Sequence, residues 1–307
     1  MMKYILRYSV VVFLFFGICL APRAEQLQCR SYTISDSVFD GPEKFGKGLL
    51  WKIERDGISP SYIFGTMHIG DNDTDDIAQI IKPYLDESKI FVMEALPNPE
   101  DMLALSFLMF NIDGSRLDTM VPKFIFDKTT EILNQYRVPE AVVATMKPWA
   151  AYITMSYPSS TGTILDLKLL EMAQLNGAEL IGLESMQEQI SIFNTMDLDD
   201  QLSILMDTVC HYDVVQKDFE VMKSMYIQRD LKGLYVYGQR YSFGDDALYE
   251  ELTQKLISER NRTMVERLEQ TMEMGSVFIA IGAMHLPGEE GVLNLLEQQN
   301  YKLKRLD

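Results

Sequence analysis

Positive charge is scarce in this sequence: 28 Lys and Arg stand against 45 Asp and Glu in 307 residues, a formal net charge of −17. So acidic a surface repels phosphates, which excludes nucleic acids as partners and excludes docking on anionic lipid headgroups through a basic face. Beyond the first two dozen residues there is no apolar run of membrane-spanning length. Low-complexity tracts, Pro/Gly/Ser-rich linkers and repeats of solenoid period are missing too, so a single folded unit is the simplest organisation. Disorder is excluded, because 47 % of the residues are hydrophobic and the charges are of both signs. Cysteines and histidines number three each.

What is present begins with the N-terminus. Lys3 and Arg7 precede an apolar stretch from Val10 to Leu20, which ends in Ala21-Pro22-Arg23-Ala24-Glu25. This is the basic start, short apolar centre and small-residue end of a secretory signal over residues 1–24, and it is too short for a comfortable transmembrane helix. Pro22 stands where a small residue is wanted for cleavage after Ala24, so an uncleaved anchor is the alternative. Phe16-Gly17-Ile18 does not place a small residue beside Cys19, which argues against lipidation there. Loss of residues 1–24 removes three basic residues and no acidic one, leaving residues 25–307 nearer −20. Cys29 and Cys210 then remain; in an oxidising compartment they either pair or stay as two thiols, and spacing does not choose.

Strand-like runs lie at Leu49–Ile53, Ser61–Phe64, Lys89–Met93, Glu179–Leu183 and Val277–Ile281. Helical patterns fill the intervals: Asp75–Ser88, Pro99–Phe110, Glu140–Tyr157 interrupted by Pro148, Thr163–Asn176, Asp199–Arg229 and Asp245–Glu273. Gly177 is a C-cap residue for the fourth of these. Strands alternating with helices predict an α/β core, with residues 100–270 a mainly helical insertion or cap.

Two of the three histidines occupy the same local frame, Gly65-Thr66-Met67-His68 and Gly282-Ala283-Met284-His285, each directly after an apolar strand. Each imidazole is therefore expected just past the C-terminal end of a strand, where open α/β sheets bind ligands. Glu94 ends a third strand and is expected at the same rim. Two histidines and one carboxylate suit a divalent transition metal with open coordination positions. The competing possibility is two unrelated structural histidines, since a Gly-x-x-His match arises easily by chance. His211, inside a long helical pattern, reads as structural. The acidic run Asp71–Asp76 lacks the Gly and terminal Glu of a calcium loop and reads as a solvated cap of the next helix. The 19 methionines and the Tyr-rich stretch Tyr235–Tyr237 read as core filler and give no haem site.

The two Gly-x-x-His frames, the strand-ending glutamate and the run from Phe278 through Gly288 to Arg305-Leu306 resemble the TraB/GumN family, which includes the Tiki metalloproteases. Lys147-Pro148-Trp149, Asp166, Leu169, Gly182-Leu183-Glu184, Gln187-Glu188-Gln189 and Glu259-Arg260-Asn261 fall in the family's order, so the resemblance covers residues 45–307. It implies an exported or membrane-anchored α/β protein of the erythromycin-esterase/ChaN-like type, with a central mixed β-sheet flanked by helices. It also implies a metal-dependent site at His68, Glu94 and His285 that uses manganese or cobalt, with zinc open as a further divalent ion for this donor set. The sequence departs from relatives at Ala95-Leu96 and in the acidity after Gly70, which bears on substrate.

The function expected is metal-assisted hydrolysis of a peptide or protein substrate in the periplasm or outside the cell, the membrane being met only through an uncleaved N-terminal segment. The ion would acidify a bound water to about pKa 7 and polarise the scissile carbonyl. Glu94 is either the third ligand or the general base. Asp166 and Glu184 are candidates to hold an imidazole through its other N–H, or are ordinary caps. Arg260 is a candidate partner of a substrate carboxylate or oxyanion, or pairs with an acid on its own helix. Two other functions stay open: a peptide-sequestering protein without turnover, as in pheromone shutdown, and an accessory of envelope polysaccharide machinery.

Overall fold

The computed structural model describes residues 29–31, 33–34, 44–157, 162–238, 241–242 and 246–307. The expected signal segment, residues 1–24, lies outside the described residues. Among the described residues eight strands are formed: β1 (Thr33–Ile34), β2 (Leu50–Glu54), β3 (Ser61–Thr66), β4 (Ile90–Ala95), β5 (Glu179–Glu184), β6 (Tyr241–Ser242), β7 (Val277–Gly282) and β8 (Lys302–Arg305). Six of them make one mixed sheet in the order β5-β4-β7-β3-β2-β8. The four strands β5, β4, β7 and β3 run parallel, and β2 and β8 add antiparallel at the far edge. The fold is thus the expected α/β class, with a mixed sheet flanked by helices.

The parallel strands β3, β4 and β7 are short apolar runs because they are covered on both faces, whereas β5, at the edge, is exposed at Glu179 and fully buried only at its end. Val277, Phe278, Ile279, Ala280 and Ile281 of β7 are all essentially inaccessible, as are Ile63 and Phe64 of β3 and Phe91 and Val92 of β4. Each of these side chains except the methyl of Ala280 contributes about 1.5–3 kcal/mol by leaving water. This sheet core also takes in Leu165, Leu169, Tyr226, Met264 and Leu268 from the covering helices. A second hydrophobic cluster is built mainly from helices, with residues such as Leu117, Ile125, Leu133, Trp149, Met155, Leu205 and Leu252.

Several elements end or break where a distant residue dictates it. The pattern over Asp199–Arg229 divides into helices Leu198–Cys210 and Tyr212–Ile227 at His211 (φ −116°, ψ 25°). There Cys210 is bonded to Cys29, and His211 Nε2 is 2.7 Å from the Arg30 carbonyl oxygen, so the break is where the N-terminal segment docks. His211 is structural, as its place in the sequence suggested. Of the pattern over Asp245–Glu273, the described part is helical from Asp246 to Met272 but contains a π-helical turn, Gln254–Glu259, directly before helix Arg260–Met272. Pro148 does not break a helix but opens one, Pro148–Ser156, at the position where its missing N–H costs nothing. Gly177 takes φ 71° after helix Leu165–Leu175, as a C-cap glycine does.

Candidate functional site

Parallel pairing brings the C-terminal ends of four strands to one rim. Thr66 of β3 is opposite Gly282 of β7, Met93 of β4 is opposite Ala280, and Ala95 of β4 is opposite Glu184 of β5. His68 follows β3 by two residues, His285 follows β7 by three, and Glu94 and Glu184 close β4 and β5. The strand ends that carry these residues therefore lie at one rim, although they come from points in the chain more than two hundred residues apart.

The glycines of the two frames work by close approach. Gly282 has φ −54°, open to any residue. What it lacks is a Cβ, which would stand 3.0 Å from Glu94 Oε1. Its N–H donates to that same oxygen at 2.7 Å. A Cβ on Gly65 would meet Leu286 Cδ1 at 2.7 Å and Ala283 Cα at 3.0 Å, so β3 can run tightly beneath the turn that carries His285. The glycines thus admit a carboxylate and a neighbouring turn.

Each imidazole is held at Nδ1 by an oxygen. His68 Nδ1 donates to Asp166 Oδ2 at 2.8 Å, and Asp166 Oδ1 accepts from the Thr66 hydroxyl at 2.6 Å. Asp166 is buried in the first turn of its helix and holds an imidazole; the cap role is not the one it plays. His285 Nδ1 is 2.6 Å from Asn261 Oδ1, and both side chains are buried. Its Nε2 is 3.6 Å from Glu94 Oε1. The His68 ring is partly open to solvent and lies against Tyr157, with centroids 5.5 Å apart. Burial works against charge on His68, but the hydrogen bond and charge of Asp166 outweigh it and push its pKa up. For His285 burial wins over the attraction of Glu94, and the pKa falls.

Arg260 does not pair with an acid on its own helix. Its Nη2 donates to Glu94 Oε2 at 2.6 Å and to Glu184 Oε2 at 2.8 Å, and its Nε donates to both Glu184 oxygens at 3.2 and 3.0 Å. Gln189 Nε2 donates to both Glu94 and Glu184 at 3.2 Å. Burial alone would raise the Glu94 carboxyl, but His285, the Arg260 guanidinium and the Gly282 N–H hold it down at about 2. Arg260 therefore serves as the clamp of two strand-end carboxylates, and those contacts use most of its donors. Glu184 holds this guanidinium, not an imidazole.

The fit to a divalent cation can be judged from donors and charge. Both imidazoles have Nδ1 committed to an acceptor, the arrangement in which a ligating histidine keeps its Nε2 lone pair free. Of the three rim carboxylates, Glu94 and Glu184 pair with the guanidinium of Arg260 and Asp166 with the His68 imidazole, while Arg267 is paired with Glu188. With both imidazoles neutral, two negative charges are left for a cation to balance. The donor types and the charge fit a divalent ion. The arrangement is not a closed cage: among the described residues no group of three His, Cys, Asp or Glu side chains is disposed to hold an ion. Glu94 spends its oxygens on Gly282, Arg260 and Gln189 instead. The acidic run after Gly70 is no second site, because Asp71 and Asp73 pair with Lys223 and Asp75 with Lys168 around the start of helix Asn72–Asp86.

Thr66, Gln189 and Asn261 complete the rim without having been singled out by sequence for a role. Thr66 lies inside the first Gly-x-x-His frame, and Gln189 and Asn261 lie in segments that carry the family resemblance, but no sequence signal assigned any of the three a role.

The profile of the TraB/PrgY/gumN family matches residues 49–305. Two curated proteins of Danio rerio are similar to the chain. Metalloprotease TIKI2 is 22 % identical over 85 % of this chain and 61 % of its own length, and Metalloprotease TIKI1 is 23 % identical over 86 % and 64 %. The chain thus spans less than two thirds of either relative. No solved structure matches it, and the erythromycin-esterase/ChaN-like type expected from sequence is not confirmed there.

Proposed function

The chain belongs to the TraB/PrgY/gumN family, and from that premise we propose that it is an exported, metal-dependent hydrolase of peptide bonds working at the rim of His68, Glu94 and His285. The observation that carries the reading is the pair of imidazoles, each held at Nδ1 by a hydrogen-bond acceptor and set at the same sheet end as an ionised, Arg-clamped glutamate. The printed names of the two relatives support protease chemistry, and the charge left over at the rim supports a cation. Export rests on the signal-like residues 1–24, and among the described residues no helix is long and apolar enough to cross a membrane.

His68 and His285 would hold the ion, manganese, cobalt or zinc, with Glu94 beside them. Bound there, it supplies Lewis-acid polarisation of the scissile carbonyl. The chain's own residues do the remaining work. Asp166, itself held by the Thr66 hydroxyl, fixes His68 at Nδ1 and leaves Nε2 for the ion, and Glu94 is the carboxylate placed to carry a proton from the attacking water to the leaving amine. Arg260 and Gln189 hold Glu94 ionised and fixed, so the rim presents a preorganised field to the substrate. Tyr157, half-exposed against His68, borders the entrance.

A second reading, peptide capture without turnover, is favoured by one observation: the three predicted ligands do not close into a cage among the described residues. One experiment separates the two. The purified protein is stripped of metal, reloaded with Mn²⁺, Co²⁺ or Zn²⁺, offered a peptide library and analysed by mass spectrometry. Hydrolysis is expected only in the reloaded protein and is expected to be lost in His68→Ala, Glu94→Ala and His285→Ala. Tight peptide binding that is indifferent to all three substitutions, with no cleavage, would instead establish capture.

A further inference from the structure

Asn261 lies one residue past Arg260, has no exposed surface, and has both ends of its amide committed. One end is 2.7 Å from the carbonyl oxygen of Glu290, and the other is 2.6 Å from His285 Nδ1. A carbonyl oxygen only accepts, so the end facing Glu290 is the NH₂ group. The end facing the imidazole is then the amide oxygen, which also only accepts. His285 Nδ1 must therefore carry the ring hydrogen, and the lone pair falls on Nε2, the atom 3.6 Å from Glu94 Oε1.

We propose that Asn261 is a positioning residue of the rim: anchored by the Glu290 carbonyl, it locks His285 in the Nδ1–H tautomer and keeps an unprotonated Nε2 turned toward Glu94. The two Gly-x-x-His frames are thus completed by different acceptors, a carboxylate for His68 and a neutral amide for His285. The choice of amide has a physical reason. A carboxylate in place of Asn261 would face the Glu290 carbonyl with no hydrogen to offer, and would add a further negative charge to a rim that already carries an excess. An amide supplies an acceptor to the ring and a donor to the backbone at once. The segment Glu289–Gly291, which follows His285 in the chain, is thereby tied to the same side chain that orients the ring.

The functional consequence of this lock rests on the hydrolase reading; the tautomer itself does not, and it is measured without substrate. Histidine-labelled protein is examined by ¹⁵N and ¹³C imidazole spectroscopy at a pH above the imidazole range. Three histidines give three ring patterns, assigned through His68→Ala and His211→Ala. The expected His285 pattern is Nδ1–H with an unprotonated Nε2. Asn261→Leu is expected to lose that tautomer. Asn261→Asp, which retains an acceptor for the ring but gives up the donor to Glu290, is expected to retain it. A native His285 found as Nε2–H overturns the proposal, as does an unchanged pattern in Asn261→Leu or equal loss in both variants. The native spectrum decides the matter even where a variant does not fold. The expected tautomer in a protein that hydrolyses nothing would fault the proposed function and leave the assignment of Asn261 standing.

Discussion

Arg260 is the residue on which the rim turns, because its guanidinium pairs with both strand-end carboxylates, the part-buried Glu94 and the buried Glu184. Removing one member of a buried ion group leaves an uncompensated charge and costs about 3–5 kcal/mol. Arg260→Ala is therefore expected to lose that amount in urea unfolding, and Arg260→Lys to recover only part, since an ammonium does not reproduce the fork that engages Glu94 and Glu184 together. A loss below about 1 kcal/mol, the scale of an exposed pair, would show that the clamp is not needed for folding. Much of this was legible at the level of single residues. His68, Glu94, Glu184 and His285 follow apolar strands, and a parallel sheet brings strand ends together. Which partner each one takes was not legible. The link from Asp166 to His68 and that from Asn261 to His285 depend on how helices lie over the sheet, and sequence spacing does not carry that.

At the scale of elements, the five apolar strands were readable within a residue or two, most plainly β3, β4 and β7, where burial on both faces leaves a near-continuous apolar run. β8 was not, since three of its four residues are basic and it forms an exposed edge, where charge is a device against further pairing. The break at His211 and the π-helical turn before Arg260 were equally silent, the first being imposed by Cys29 and Arg30 from far away. Helix Met186–Asn194 carries Gln189 to the rim and is started by a capping box, in which Ser185 and Glu188 hold each other's backbone and Arg267 grips Glu188 at 2.7 Å. The Arg267 hydrogen bond and the Ser185 N–H hold the Glu188 carboxyl at about 2, below its ordinary value of 4.5. A carboxyl lowered by folding stabilises the folded state above its unfolded pKa, and that contribution drains away as pH falls from about 4.5 toward 2. Glu188→Gln is thus expected to lower the melting temperature at pH 7 and to differ less and less from the native protein as the melt is repeated down to about pH 2.5. A constant difference across that range would assign the effect to packing and not to ionisation.

At the scale of the whole molecule, the Cys29–Cys210 bond joins the N-terminal segment to the helical cluster across 181 residues of chain. Around it, Arg30 is paired with buried Asp207, which also accepts from Tyr249 at 3.0 Å, and β1 pairs with β6. Closing so long a loop restricts the unfolded chain, and loss of such a bond costs about 2–5 kcal/mol. Reduction is expected to lower the urea midpoint by a corresponding amount, and the double substitution Cys29→Ser with Cys210→Ser to show the same shift with no further response to reductant. If reductant left the midpoint where it was, the staple would be dispensable for stability.

The order of strands across the sheet carries a further consequence, for the sequence of events in folding. β7 sits between β3 and β4, yet it is made last of the three, after nearly two hundred intervening residues. Until it arrives, β3 and β4 have no shared neighbour, their apolar faces stay open, and the second imidazole of the rim does not exist. Contacts so distant in sequence form slowly, and the waiting strand edges are sticky. The centre of the sheet is therefore a latch that shuts only on a nearly finished chain, and a fragment ending before Val277 would have neither a closed core nor a complete rim.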